Sequence, residues 1–185
     1  MYRDTKNNLI YFRFPNEFIP QSIGDKYDAL LRKHQSPYKS TIEFLNSLVI
    51  NITFPSVSYD TVQQTSGLRN PRNFRGGLPI TQSITKEFSL DIRLTEGYTS
   101  YFILYELLLY WNTNTEASKQ YLPEFMFKTL DLRGYEISTI SFTNILFTGI
   151  GELALSYSDT TPTFNTFSIN FIANDVDIKP NLKTL

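Results

Sequence analysis

Residues 99–111 read TSYFILYELLLYW. The run carries one charge, Glu106. It is rich in leucine and poor in β-branched residues, which predicts a helix. It is too short to cross a bilayer, which takes about 20 apolar residues. A helix apolar on nearly every side needs cover from more than one neighbour, and Phe102, Leu104, Leu107, Leu108 and Trp111 are its expected core residues. Just upstream, residues 86–94 read KEFSLDIRL and set Phe88, Leu90, Ile92 and Leu94 at strict alternation, the signature of a half-buried strand. Downstream, residues 124–172 break into strand-like segments. The expected fold is mainly β (α+β), an antiparallel sandwich or barrel with one flanking helix.

Toward the N-terminus, residues 8–14 (NLIYFRF) read as a strand ended by Pro15. Ser22 with Asp25 suggests a capping-box-like start for a helix over 23–33, which Ser36-Pro37 stops. A second short helix is expected over 38–46. Residues 48–54 (LVINITF) then form a strand up to Pro55, continued by a bent piece over 57–64. Residues 65–79, TSGLRNPRNFRGGLP, hold three arginines, three glycines and two prolines without an acid, and read as a long loop between two antiparallel strands. Residues 80–94 follow as one strand or two, and Glu96-Gly97 turns into the central helix. Later strands are expected over 125–130, 136–147 with an irregularity at Asn144, 152–157 and 164–173. The remaining tail, DVDIKPNLKTL, reads as an extended arm.

Composition narrows the function. A chain of 185 residues is expected to form one domain. Seventeen Lys and Arg against 18 Asp and Glu give a net charge of −1, which provides no global attraction to nucleic acid or an anionic membrane. Fifteen Phe, 12 Tyr and one Trp favour strands and large buried contacts. Without cysteine there is no disulfide, thiol nucleophile or thiolate metal site. The N-terminus lacks a basic stretch followed by an apolar one, so no signal peptide is expected. The only histidine, His34, has no second imidazole for a metal and no paired acid for proton transfer. Asp175 and Asp177 lack calcium-loop spacing, and no phosphate-loop, nucleophile-elbow, zinc-protease or dinucleotide motif occurs. The expectation is a protein without catalytic residues, metal or cofactor.

Two features point to contacts instead. Ser138, Thr139, Ser141, Thr143, Ser156, Thr166, Ser168 and Asn170 give the late strands an uncharged polar side. That composition suits a face covered by another subunit, a channel lining that does not grip a polyanion, or an ordinary solvent face. In the loop, Arg69, Arg72 and Arg75 with Phe74 among them suit carboxylates of a neighbouring subunit. The same residues suit a nucleic-acid backbone.

Several stretches together resemble the tail tube proteins of contractile-tailed bacteriophages, a family related in fold to the tube protein of type VI secretion. INITFPSVSYDTV is similar to the family's early strand with its proline step. RNFRGGLPITQSITKEFSLDIRL is similar to the strand pair that rejoins the sheet ahead of the helix, and TSYFILYELLLYWN to the flank helix. DLRGYEISTISFTNILFTGIGELALSYSDTTPTFNTFSINFIAN is similar to its closing sequence. The likeness implies a tail-tube-like β domain over 48–178, preceded by a strand and helical extension over 1–47 and followed by a short arm over 179–185. It implies a structural virion protein that forms a homohexameric ring, with no reaction and no cofactor. The ring would be a channel for DNA and tape-measure protein. Its partners would be other copies and adjacent tube, baseplate or sheath proteins, in a tail assembled in the bacterial host cytoplasm, with no membrane involved. The extra N-terminal helices leave a tube-like baseplate initiator or tail-completion ring as the alternative. A nucleic-acid-binding module using residues 65–77 is a lesser one.

Overall fold

The computed structural model describes residues 9–54, 61–64, 72–75, 86–113, 121–131, 133–153 and 165–181. A six-stranded sheet holds β1 (Leu9–Phe12), β2 (Val49–Thr53), β5 (Glu87–Arg93), β6 (Phe125–Leu130), β7 (Glu136–Ile150) and β8 (Thr166–Pro180). They lie in the order β1-β6-β7-β8-β5-β2, and every neighbouring pair is antiparallel. A separate two-stranded sheet pairs β3 (Thr61–Gln64) with β4 (Arg72–Arg75). Among the described residues there are three α-helices: α1 (Gln21–Lys33), α2 (Thr41–Leu48) and α3 (Thr99–Thr113). The fold is therefore mainly antiparallel β with a flanking helix and a helical N-terminal extension.

One face of the sheet is the core, and phenylalanine builds it. On β5, Phe88, Leu90 and Ile92 are buried, and on β8 Phe167, Ile169, Phe171 and Ala173, as period-two alternation requires. The rings of Phe88 and Phe142 have centroids 4.3 Å apart, those of Phe12 and Phe127 4.5 Å, and those of Phe14 and Phe18 4.8 Å. Offset and edge contacts of this kind add to the area each ring buries. On β7 burial falls on Phe142, then on Ile145 and Phe147, so the inward parity changes across Asn144. That residue takes φ 52°, a left-handed conformation that asparagine tolerates better than most residues.

Helix α3 lies against β7 and α1. Ile103, Leu104 and Leu107 are fully buried, while Leu108 and Trp111 are half-buried. Phe102 is not in the core: it is 51% exposed, in a stripe with Tyr105 and Leu109. The sheet and α1 cover two sides of the helix and leave the 102/105/109 side outward. All-round apolarity overstated how much of the helix is enclosed. The entry to α3 is tightly specified. Ser100 is buried; its backbone N–H donates to Thr95 Oγ1 at 3.2 Å and its hydroxyl to the Arg93 carbonyl at 3.2 Å. Gly97 supplies the turn at φ 70°.

Other expectations shift in register. Helix α1 begins at Gln21 after Pro20, without a side-chain cap, so Ser22 lies inside its first turn. Helix α2 begins later than expected because Ser40 is its N-cap. The Ser40 hydroxyl accepts from the Glu43 N–H at 3.3 Å, and Glu43 Oε2 accepts from the Lys39 N–H at 3.1 Å, a close relative of the capping box. Part of the expected loop over 65–79 is strand β4. Of the expected strand over 80–94, the described part is β5 alone. Gly149, beyond the end of the strand expected over 136–147, lies inside β7 at a register shift. The expected strand over 152–157 is irregular through 153, and its remainder lies outside the described residues. The expected tail arm is a strand: β8 runs to Pro180 and pairs with β7 as far as Ser138. Its inward parity changes together with that of β7, so that Val176 and Ile178 stand opposite Phe142 and Ile140.

Candidate assembly surface

The face of the sheet away from the helices follows from strand parity. Opposite Phe88, Leu90 and Ile92 lie Glu87, Ser89, Asp91 and Arg93. Register then sets Asp91 beside Ser168 on one side and Asn51 on the other. Asp91 accepts from the Ser168 hydroxyl at 2.7 Å and from Asn51 Nδ2 at 3.0 Å, so one carboxylate ties three strands together. Farther along, Lys128 Nζ is 2.8 Å from Glu136 Oε2, Lys179 Nζ is 2.7 Å from Asp177 Oδ2, and Asn144 Nδ2 is 3.3 Å from Asp175 Oδ2. The hydrogen bond from Lys128, and then one from Thr139, hold the Glu136 carboxyl below the usual range. Asp177 raises the Lys179 ammonium.

This face is polar, as expected, but it is not uncharged. Ser138, Thr139, Ser141, Thr143, Thr166, Ser168 and Asn170 all lie on β7 or β8. Ser138 projects to the Phe142 side, where its hydroxyl lies 2.7 Å from that of Thr129. The charges come from the neighbouring strands and from the far end of β8. They were missed because a strand read singly does not show what register places beside it. Ser156 lies outside the described residues. Apolar side chains interrupt the face at Leu146 opposite Ile172 and at Met126 beside Ser141, all exposed.

The long late strands β7 and β8 are central, paired on both sides. The bare edges are β1, LIYF, and β2, VINIT. Neither contains a charge or a proline, the two common devices that blunt an edge. Between them runs a groove of about 1090 Å³, bordered by Ile10 and Tyr11 on one side and Ile50 and Asn51 on the other, with Tyr38 and Ile42 of the α2 region beneath.

The residues expected at a subunit interface fall around the small sheet. Arg72, Phe74 and Arg75 are in β4, where Phe74 pairs with Val62 and Arg75 with Thr61. Arg69 lies outside the described residues. His34 is exposed at the end of α1, its N–H on the carbonyls of Arg32 and Leu30. Among the described residues no group of three or more His, Cys, Asp or Glu could hold a metal ion, and no helix is long and apolar enough to cross a membrane.

Comparison with known proteins places the fold. No protein-family model matches the sequence, and no curated protein does. Among solved structures, the tube-terminating cap of the anti-feeding prophage is similar with a TM-score of 0.50 and 15% identity, over 71% of this chain and 80% of that one. The sheath/tube terminator of the PVC extracellular contractile injection system, in its extended state, gives 0.50 and 17%, over 71% and 84%. The anti-feeding prophage baseplate gives 0.51 and 10%, over 71% and 80%. At such identities what is shared is the architecture, and the chain has the tail-tube type of fold found in contractile injection systems.

Proposed function

We propose that the chain is a structural subunit that assembles with other copies of itself into a ring of a tail tube, as the end or baseplate ring of that tube or as its repeated unit. The observation that carries this is a tail-tube fold with two bare sheet edges, β1 and β2, that no element of the chain covers among the described residues. Contacts that repeat head to tail and close give a cyclic ring. Six copies is the number the family resemblance implies. The polar face with its paired charges then lines the channel. There Asp91, Glu136, Asp175 and Asp177 already have a hydroxyl, amide or ammonium partner, so that passing DNA or tape-measure protein slides past without being held. The helices α1 and α2 sit on the opposite face, where they are placed to meet a sheath, baseplate or adjoining tube protein.

The end-ring reading has its own support. The similar structures above are a cap, a terminator and a baseplate, and α1 and α2 are additions that a partner at one end would use. Light scattering over a range of concentrations, with negative-stain microscopy, tests both. Closed rings are expected. Rings that stack into tubes identify the repeated subunit, and rings that never stack identify an end ring. A monomer at every concentration, with no rings beside its partners, defeats the proposal.

A further inference from the structure

Residues 32–39 read RKHQSPYK, four basic side chains in eight residues with no acid. They form the turn from α1 into α2, and Arg32, Lys33, His34 and Lys39 are all exposed. Cations at the end of a helix suit its dipole, which accounts for Arg32, Lys33 and His34 but not for Lys39. Lys39 stands at the start of α2, where the dipole is positive and a carboxylate is the stabilising choice. Asp28 and Glu43, on the two helices, are engaged by the start of α2 and do not neutralise the cluster. Asp28 accepts the N–H and the hydroxyl of Thr41, each at 2.6 Å, and Glu43 accepts the Lys39 N–H at 3.1 Å. Among the described residues none of the four basic side chains has an ion-pair partner. We propose that this turn is a docking site for a short acidic segment of an adjoining protein of the assembly. That the segment belongs to the assembly rests on the reading above; that it is acidic rests on the turn itself.

The backbone of the turn carries a strain that glycine would relieve. The Gln35 N–H donates to the Arg32 carbonyl at 3.1 Å and the Ser36 N–H to the Leu31 carbonyl at 3.0 Å, the two bonds of a Schellman cap. The left-handed position of such a cap is usually glycine. Here it is Gln35, at φ 50°, with its side chain exposed. Strain of this kind collects at functional sites, and the Gln35 amide stands in the chain between Arg32–His34 and Lys39. A carboxylate held by the cations can accept a hydrogen bond from it. The Asp28–Thr41 bonds fix α1 to α2 across the turn, so the cluster is in place before a partner arrives. A short segment fits better than a long polyanion. Asp25 is exposed on α1, about 10 Å from Arg32 along the helix, and Glu43 is exposed on α2. Both repel an anionic ligand that runs beyond the turn, and the whole chain carries −1. A nucleic-acid backbone would have to pass them, whereas a few acidic residues need not.

Fluorescence anisotropy with the full-length protein tests this. The probe is a labelled glutamate decapeptide, compared with a glutamine decapeptide and a thymidine oligonucleotide of the same charge as the first. The glutamate peptide is expected to bind best, and more weakly as salt is raised. Arg32→Gln, Lys33→Gln and Lys39→Gln combined should weaken it by about tenfold, with the circular dichroism unchanged because all three side chains are exposed. Gln35→Gly should raise the melting temperature, since it removes the left-handed strain, and yet weaken the peptide by about threefold. A stabilised Gln35→Gly protein that binds unchanged overturns the role given to Gln35. A glutamate peptide that binds the triple variant as well as the original, or fails to bind the original at low salt, overturns the proposal. Tighter binding of the oligonucleotide overturns it in favour of nucleic acid. Negative-stain microscopy scores rings separately: peptide binding without rings supports the acidic site and defeats the assembly reading, and rings without peptide binding do the reverse.

Discussion

The indole N–H of Trp111 donates to the backbone carbonyl of Phe18 at 3.2 Å, across 93 positions of sequence. It ties the end of α3 to a segment whose Phe18 ring is fully buried against Phe14 and Phe125. Replacing Trp111 by Phe keeps most of the ring and removes the donor, leaving the Phe18 carbonyl short of a partner. A loss of about 1 kcal/mol in unfolding free energy is expected, read by circular dichroism in urea. No loss would show that the bond contributes nothing.

Leu104 is fully buried on the sheet side of α3. Leu104→Asp places an unpaired carboxylate there at a cost of several kcal/mol, against a total stability of about 5–15 kcal/mol. The variant is expected to be unfolded or insoluble. Phe102→Asp, on the exposed stripe, is expected to leave stability within about 0.5 kcal/mol. Equal behaviour of the two variants would show that α3 is turned differently.

Tyr27, buried where α1 meets α3, has its phenol pushed up to about 12, first by burial and then by the Glu106 carboxylate it hydrogen-bonds. Below pH 10 the folded and unfolded chains both keep this proton, and its contribution is fully present. Between pH 10 and 12 the unfolded chain loses the proton first, so stability falls as pH rises, by up to about 2–3 kcal/mol. Tyr27→Phe should flatten that alkaline limb. An unchanged slope from pH 10 to 12 would assign the loss to other groups.

Gly97 at φ 70° precedes α3, and nothing crowds a side chain there beyond Thr99 Oγ1 at 3.9 Å. The cost of Gly97→Ala is therefore conformational, about 1–2 kcal/mol, and Gly97→Asn should cost less because asparagine tolerates this region better. Thermal unfolding that ranks alanine above asparagine would contradict this account.

Elements whose signals are local were legible in the sequence. Strict alternation gave β5 and most of β8, leucine density gave α3, and Asn144 marked the irregularity in β7. What failed was non-local. Nothing in DVDIKPNLKTL shows that β7 is long enough to hold its first residues as strand. Nothing in SFTNILF shows that β7 has neighbours on both sides, and nothing in LIYF or VINIT shows that these strands are the edges. Phe102 was misplaced because an apolar helix does not state which of its sides the fold leaves uncovered. The Ser40–Glu43 cap, by contrast, was a local signal available to read and passed over.

The pairing order has a consequence on the ribosome. Strand β8 joins β7 to β5, and only through β5 does β2 reach the rest of the sheet. Until residues 166–180 are synthesised, the backbone ladder of β5 has no strand partner but β2, and Phe88, Leu90 and Ile92 lack the cover that β8 gives them. Contacts this distant in sequence form slowly, and chains waiting for them are prone to aggregate. The nascent protein is therefore most in need of shielding just before its last strand emerges.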